Sequence, residues 1–170
     1  MTEFLPPIEQ SCRVLFVCVE NSCRSQMAEA FARLHGAGHV DAFSAGSRPS
    51  GRVHPKAVAA MQEVGCNLTH HYSKGLSEVP DVEFDVVVTM GCGDACSRLR
   101  ARRREVWDLP APKDMPLEEF RVVRDRIEEK VKALLAELGV CPGAAASLLT
   151  GFSAHEPGKD GRRCPARRHP

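Results

Sequence analysis

One stretch near the N-terminus, from Arg13 to Phe31, constrains the fold of this chain more than any other. It begins with a short apolar run, Val14 to Val17, which is typical of a buried β-strand. Apolar side chains then recur at helical spacing, and Gly36 is a suitable end for that helix. The sequence therefore predicts a strand, a tight loop and a helix, with the thiol of Cys18 at the mouth of the loop.

The loop of this stretch is suited to bind an anion. Backbone N–H groups in the loop and the first helical turn have no partners within the helix, and the helix dipole adds positive potential. Arg24 offers a planar fork of donors for a tetrahedral anion, and Ser25 could donate a hydroxyl hydrogen bond to a thiolate. The same field favours the thiolate of Cys18, a candidate nucleophile. The alternative is a buried cysteine at a strand end, beside a surface arginine.

The residues from Cys18 to Phe31, C-V-E-N-S-C-R-S-Q-M-A-E-A-F, resemble the signature loop of the low-molecular-weight tyrosine phosphatase fold, and within it the thiol-dependent arsenate reductases. The likeness continues in the same order through F-S-A-G-S, H-P-K-A-V-A-A-M, F-D-V-V-V-T-M-G-C-G-D-A-C, V-W-D-L-P and F-R-V-V-R-D-R-I-E-E-K-V, and it covers about residues 13–139. It implies catalytic roles for Cys18, Arg24 and Ser25. The implied oxyanion-binding loop consists of Val19, Glu20, Asn21, Ser22, Cys23 and Arg24. Within it, Cys23 is expected to pack against the helix and to have no redox role.

Strand and helix patterns alternate along the chain, which predicts an α/β fold. We expect one domain with a doubly wound, mostly parallel four-stranded sheet and helices on both faces, spanning residues 13–139. The strands are predicted at Val14–Val17, Val40–Ser44, Phe84–Met90 and Glu105–Leu109, and later helices at Pro55–Gly65 and Pro116–Gly139. A flexible leader, 1–12, and a disordered basic tail, 140–170, are expected to flank the domain.

Composition narrows the class of protein. The 170 residues fit one domain, and the net charge of +1 gives no sign of a nucleic-acid or membrane partner. The N-terminal residues lack the basic start and apolar core of a secretory signal, so we expect a cytoplasmic protein. We also expect the protein to be a monomer. Eight cysteines in a reducing compartment favour redox or metal chemistry over structural disulfides.

A second cysteine motif, T-M-G-C-G-D-A-C, follows the Phe84–Met90 run. The resemblance implies a relay in which Cys18 attacks arsenate, Cys92 attacks Cys18 and releases arsenite, and Cys96 then attacks Cys92. Thioredoxin, or else mycothiol, bacillithiol or glutaredoxin, would reduce the final disulfide. Zinc binding is the rival interpretation, but the sequence has no second cysteine pair at zinc-like spacing, so we expect neither metal nor cofactor.

The sequence departs from the family at the general acid. The family places an aspartate before a proline after the W-x-L-type strand, and the matching position here is Ala111. Asp108 and Asp114 are both near enough in sequence to replace it, and the sequence does not decide between them.

A second departure concerns a potassium site that some of these reductases have. The matching residues include Asn21, Glu29 and Ser44, but Tyr72 and Lys74 stand where the family has a threonine and an aspartate. We expect the ammonium of Lys74 to lie near Glu29, and potassium not to be required.

Three functions remain open from the sequence. The first is an arsenate reductase that serves arsenic detoxification. The second is a low-molecular-weight phosphatase that uses Cys18 and Arg24, with Cys92 and Cys96 protecting Cys18. The third is a non-catalytic oxyanion-binding or redox-sensing domain. The arginine run from Arg98 to Arg104 favours a solvated loop. The alternative is that these arginines form a positive rim that attracts an oxyanion, or an acidic partner, towards the pocket.

Overall fold

Four parallel strands form one sheet in the part of the chain that the computed structural model describes, residues 11–140. The elements follow in the order β1 (Cys12–Cys18), α1 (Arg24–Gly36), β2 (Val40–Gly46), α2 (Pro55–Gln62), β3 (Phe84–Met90), β4 (Ala101–Val106) and α3 (Leu117–Glu137). Two short 3₁₀ helices, Leu76–Glu78 and Gly93–Cys96, precede and follow β3. The predicted α/β class and four-stranded parallel sheet are confirmed.

The strand order β2-β1-β3-β4 places β1 and β3 at the centre of the sheet. Both are mostly apolar, because a strand covered on both faces has little room for polar residues. Cys18 lies opposite Met90 in the parallel register, so the carboxyl ends of the two central strands are adjacent. Since β2 lies on one side of β1 and β3 on the other, this is the topological switch point, where ligands bind in such sheets.

The two faces of the sheet are covered differently. In β1, Val14 and Phe16 point into the core beneath the α-helices, whereas Leu15 and Val17 point into a second core on the opposite face. The three α-helices pack against one another on the first face. The 3₁₀ helices and their loops cover the second. Helices thus cover both faces, as predicted, although the α-helices of residues 11–140 all lie on one.

The last strand was predicted at the wrong place. β4 is Ala101–Val106 rather than Glu105–Leu109, so most of the arginine run lies in an edge strand and not in a solvated loop. The side chains form ion pairs with acidic neighbours: Arg100 with Asp81, Arg102 with Glu83 and Asp85, and Arg103 with Glu105 and Glu137. Long charged side chains protect an edge strand from pairing with another chain.

The domain is slightly longer at both ends than predicted. Cys12, assigned to the leader, is the first residue of β1, and its backbone N–H donates to the carbonyl oxygen of His39 at 3.0 Å. Val140, assigned to the tail, is buried in the first core. The remaining parts of the predicted leader and tail, 1–10 and 141–170, lie outside the described residues. Among the described helices, none has the length and apolar character to cross a membrane.

Candidate functional site

The loop between β1 and α1 forms one wall of a pocket at the switch point. Cys18 ends β1 and Arg24 begins α1, so the loop spans residues 19–23. The pocket has a volume of about 190 Å³. The opposite wall is the segment that joins β4 to α3, and the full lining is Cys18, Val19, Glu20, Ser22, Cys23, Arg24, Ala111, Pro112, Lys113 and Asp114. The arginine run contributes no residue to this lining, so it does not form the positive rim considered above.

The backbone of the loop is held from outside the pocket. Four carbonyl oxygens at the end of β1 and in the loop accept N–H hydrogen bonds from residues 47–54 at 2.8 to 3.1 Å: those of Cys18, Val19, Glu20 and Ser22. Asn21 adopts a φ of 48°, which allows the chain to reverse. Carbonyls that turn outward give the loop the shape that an anion-binding loop needs.

The thiol of Cys18 has the hydrogen-bond partner predicted for it. Its Sγ lies 2.9 Å from Oγ of Ser25. The direction of this bond follows from Asn21, whose Oδ1 accepts the backbone N–H of Lys74 at 2.9 Å. Nδ2 of Asn21 is therefore the donor to Ser25 Oγ, at 2.8 Å. Because that oxygen already accepts a hydrogen bond, the hydroxyl hydrogen of Ser25 can point to the sulfur and stabilise a thiolate.

Gln26 holds Asn21 in place behind Ser25 and Cys18. It was not predicted as a site residue. It is fully buried, and its Nε2 donates to Oδ1 of Asn21 and to the carbonyl oxygen of Tyr72, both at 2.8 Å. Its Oε1 lies 2.9 Å from Nδ1 of His71, whose pKa is lowered by burial. A polar side chain on the buried face of a predicted helix is the signal that could have identified it.

Arg24 is placed for contact with an anion by the end of the opposite wall. Its Nη1 donates to the carbonyl oxygen of Leu109 at 2.8 Å, which leaves further guanidinium donors for the pocket. The guanidinium also lies next to Gly91, where an added Cβ would be 3.7 Å from Nη1. Arg24 is thus adjacent to the loop that carries the second cysteine motif.

Cys92 and Cys96 lie near the same strand ends but in the other core. Both thiols are buried in the core of the second face, whereas Cys18 belongs to the first. A hydrogen bond from Cys96 lowers the pKa of Cys92 to about 7. The same bond, together with burial, raises the pKa of Cys96. Cys92 is therefore the more acidic thiol of the pair, and Cys96 is the donor.

The three cysteines are close in the fold without being joined. No disulfide links the cysteines of residues 11–140. Cys92 is flanked by Gly91 and Gly93, which adopt φ values of 79° and 59°, in the left-handed region that favours glycine. Since Cys18 and Cys92 are free thiols in different cores, we expect a disulfide between them to form only when this loop shifts.

Cys23 lies at the start of α1 and lines the pocket. Burial raises its pKa to about 11, so the thiol stays protonated at neutral pH. It packs in the first core, as expected.

The two aspartates considered as general acids are placed differently. Both are exposed, but Asp114 lines the pocket and Asp108 contributes nothing to the lining. Ala111 also lines the pocket, without a group that could donate a proton. The structure therefore favours Asp114 over Asp108.

Lys74 lies where the sequence placed it. Its Nζ is 3.5 Å from Oε2 of Glu29 and 3.3 Å from Oγ of Ser44. The buried Glu29 carboxylate also accepts a hydrogen bond from Ser44 and pairs with Arg33 at 2.6 Å. Over the described part of the chain, no three His, Cys, Asp or Glu side chains are arranged to hold a metal ion.

Comparisons with known proteins agree with this geometry. Residues 13–140 match the family described as low molecular weight phosphotyrosine protein phosphatase. The chain is 40% identical over 129 residues to the glutaredoxin arsenate reductase of Synechocystis sp., a match that covers 74% of this chain and 98% of the relative.

Solved structures give the same result. An arsenate reductase in the phosphate binding state has a TM-score of 0.67 at 39% identity, over 74% of this chain and 98% of that one. The thioredoxin-dependent arsenate reductase of Corynebacterium glutamicum has a TM-score of 0.65 at 28% identity, over 78% of this chain and 64% of that one. With Cys18 and Arg24 at the two ends of the loop after β1, this chain belongs to the low molecular weight phosphotyrosine protein phosphatase family.

Proposed function

We propose that this protein is an arsenate reductase in which Cys18 attacks arsenate and the thiols of Cys92 and Cys96 carry the disulfide away from it. The observation that carries the proposal is the hydrogen-bonded Cys92–Cys96 pair beside the end of the strand that carries Cys18. The pKa of Cys92 is about 7, so a large share of this thiol is ionised at neutral pH. A phosphatase needs one cysteine, but a reductase needs a source of two electrons. The names of the similar proteins support the reductase.

In the first step, arsenate binds with its oxygens on the loop N–H groups and the Arg24 guanidinium. The Cys18 thiolate, stabilised by the hydroxyl of Ser25, attacks arsenic, and one arsenic-bound oxygen leaves as water. Asp114 is the carboxyl group of the pocket that can supply a proton to that oxygen. Arsenic is still As(V) in the resulting adduct, which is bonded to Sγ of Cys18.

In the second step, the Cys92 thiolate attacks Sγ of Cys18. The sulfur–arsenic bond breaks and its electron pair remains on arsenic, which leaves as arsenite. A Cys18–Cys92 disulfide forms, so the two sulfurs supply the two electrons that convert As(V) to As(III). The loop between Gly91 and Cys96 moves toward the pocket during this step.

In the third step, Cys96 resolves the disulfide. The hydrogen bond to Cys92 and the charge of its thiolate are among the causes that raise the pKa of Cys96. Once the Cys92 sulfur is in a disulfide, that charge is gone, and Cys96 can lose its proton and attack Cys92. The Cys18 thiolate is released, and the disulfide becomes Cys92–Cys96.

We infer that thioredoxin reduces this disulfide, with mycothiol, bacillithiol or glutaredoxin as alternatives. One similar protein is a glutaredoxin arsenate reductase and another is thioredoxin-dependent, so the comparisons support a thiol reductant of either kind. Because the cycle depends on reduced thiols, we place it in the cytoplasm, where it would serve arsenic detoxification.

Substitution of each cysteine tests the relay. Cys18→Ser is expected to abolish arsenite formation. Cys96→Ser is expected to release one arsenite per protein and then stop, with thioredoxin, thioredoxin reductase and NADPH present. Mass mapping after one turnover should find the Cys18–Cys92 disulfide in Cys96→Ser and the Cys92–Cys96 disulfide in the wild type. Sustained cycling of Cys96→Ser would reject the third step, and a wild type that forms no arsenite would reject the function.

The alternative is a low-molecular-weight phosphatase that uses Cys18 and Arg24, which family membership favours. A phenolate is a poor leaving group, and loss of its general acid at Ala111 is expected to slow hydrolysis by roughly 10²–10⁴-fold unless Asp114 replaces it. Hydrolysis of an aryl phosphate, measured beside arsenite formation, distinguishes the two. Arsenite release in a single turnover would also exclude a domain that only binds oxyanions or senses redox state.

A further inference from the structure

An ion pair bridges the two walls of the pocket. Nζ of Lys113 lies 3.0 and 3.1 Å from the two carboxylate oxygens of Glu20. Glu20 belongs to the loop after β1, and Lys113 belongs to the segment between β4 and α3. Both residues line the cavity. The bridge therefore lies at the cavity that Cys18 also lines.

An acidic residue in an anion-binding loop creates an electrostatic problem. With Cys18 counted as a thiol and Asp114 as a carboxylate, the residues that line the cavity include two cations, Arg24 and Lys113, and two anions, Glu20 and Asp114, so their formal charges cancel, and a proton moved from Cys18 to Asp114 does not change that sum. A carboxylate without a cationic partner at position 20 would repel a bound phosphate or arsenate. Without Lys113, the lining would carry a formal charge of one negative unit.

The ion pair holds both of its members in the charged form. The hydrogen bond from Lys113 lowers the pKa of Glu20, and the same bond raises the pKa of Lys113. Ser22 also donates to the Glu20 carboxylate, at 3.3 Å. At neutral pH the carboxylate is therefore always present, and its effect on an anion depends on the cation beside it.

The backbone that carries Lys113 is fixed from α2. Nζ of Lys56 donates to the carbonyl oxygens of Lys113 and Met115, at 3.4 and 2.7 Å. The N–H of Met115 donates to the carbonyl oxygen of Pro112 at 3.1 Å, and Pro112 is buried. The Lys113 side chain is half-exposed, so it extends from a fixed backbone across the pocket to Glu20.

We propose that Lys113 is a positioning residue for oxyanion binding that acts by neutralising Glu20 at the pocket. The inference rests on the proposed function only for the identity of the oxyanion, since phosphate and arsenate share the same charge and tetrahedral shape. Lys113 acts through the carboxylate and does not need to touch the anion. Removing Glu20 should therefore compensate for the loss of Lys113.

Binding of inorganic phosphate to the reduced protein tests this without turnover. By calorimetry, Lys113→Met is expected to weaken binding by about tenfold at low ionic strength. Glu20→Gln should bind at least as tightly as the wild type, and the double variant should return to within about twofold of it. Lys132→Met breaks the Lys132–Glu128 pair on α3 and controls for the lost positive charge. It is expected to bind phosphate as the wild type does.

The salt dependence of phosphate binding provides a second test. It would not differ between the wild type and Lys113→Met if Lys113 had only a structural role. The weakening in Lys113→Met should shrink at high salt, because charges in an open pocket are screened. Wild-type affinity in Lys113→Met would overturn the proposal. A double variant as weak as Lys113→Met would also overturn it, since Lys113 would then act on the anion itself. Arsenite formation is measured separately, and its absence beside the expected binding pattern would reject the reductase and not the role of Lys113.

Discussion

Cys92 and Cys96 lie one 3₁₀ turn apart, yet the pKa of the Cys92 thiol is lowered and that of the Cys96 thiol is raised, and the hydrogen bond between them is the largest cause of each shift. The bond lowers the pKa of Cys92 from its ordinary value of 9.0 to about 7 and raises that of Cys96. The proposed order of attack follows, because the thiolate is the nucleophile in each exchange. At the scale of the residue, the donor at position 96 therefore favours Cys92 over Cys96 as the first of these two thiols to attack in the proposed relay.

Two substitutions of Cys96 separate its role as a hydrogen-bond donor to Cys92 from its role as a reactive thiol. Cys96→Ala removes the hydrogen bond to Cys92, whereas the hydroxyl of Cys96→Ser can still donate it. Since deprotonation creates the attacking form, single-turnover arsenite release should rise with pH through the pKa of Cys92, near 7 in the wild type. The midpoint is expected to rise by about one to two pH units in Cys96→Ala and by less in Cys96→Ser. Equal midpoints in the two variants would contradict the role of the hydrogen bond.

Lys74 supplies the second prediction at this scale. Its ammonium lies between the Glu29 carboxylate and the Ser44 hydroxyl, so a potassium ion has little to add. Arsenite formation by the wild type is expected to be equal in potassium and sodium buffers of the same ionic strength. Lys74→Met removes the ammonium, and potassium should then increase the activity or thermal stability of the variant. A potassium requirement in the wild type would contradict this account.

At the scale of the element, the shape of the loop between β1 and α1 depends on the end of β2. Gly46 ends that strand opposite Cys18, and its N–H donates to the carbonyl oxygen of Lys74 at 2.8 Å. An added Cβ at Gly46 would lie 2.7 Å from the carbonyl oxygen of Val19 and 2.9 Å from the backbone N of Asn21. These are backbone atoms, which can give way only if the whole loop shifts. Glycine is needed here for close approach and not for an unusual φ.

Gly46→Ala is therefore expected to displace the loop. We predict a loss of stability of about 1–3 kcal/mol and at least a roughly tenfold loss of phosphate affinity, because overpacking at a fixed backbone cannot relax locally. Gly75→Ala is the matched control, since Gly75 bridges Gly46 and its added Cβ would meet nothing closer than 3.5 Å. Urea unfolding and phosphate titration measure both effects. Equal behaviour of the two variants would contradict the packing argument.

At the scale of the whole molecule, the sheet separates the proposed nucleophile, Cys18, from the two other cysteines of the proposed relay. Cys18 belongs to the core under the three α-helices, and Cys92 and Cys96 belong to the core under the 3₁₀ helices. The proposed relay passes around the carboxyl edge of the sheet, so the loop moves while the central strands stay fixed. That rigidity depends on the packing of α3 against α1 and α2.

Two adjacent valines of α3 test how much this packing contributes. Val123 is 3% exposed and Val122 is 51% exposed, and both lie in the same helical turn. Val123→Ala is expected to lower the free energy of unfolding by about 2 kcal/mol through lost burial and an unfilled cavity. Val122→Ala changes helix propensity in the same way but should alter stability by less than about 0.5 kcal/mol. Chemical denaturation gives both values, and similar losses would contradict the burial argument.

Most elements were predictable because their signals are local. The run Phe84–Met90 is β3 without a change of boundary, Gly36 ends α1, and Pro116 directly precedes α3. β4 was misplaced because its arginines have no apolar pattern. What makes them a strand is pairing with β3 and with acidic side chains of other segments.

The sequence by itself determined the strand, loop and helix that hold Cys18, Ser25 and Arg24. These residues lie within eight positions, so the local conformation sets their geometry. Only the tertiary structure decided that Asp114 rather than Asp108 lines the pocket, and that Cys92 lies in the opposite core. It also paired Lys113 with Glu20 across 93 positions. Such contacts depend on how separate elements pack, which no local pattern of residues records.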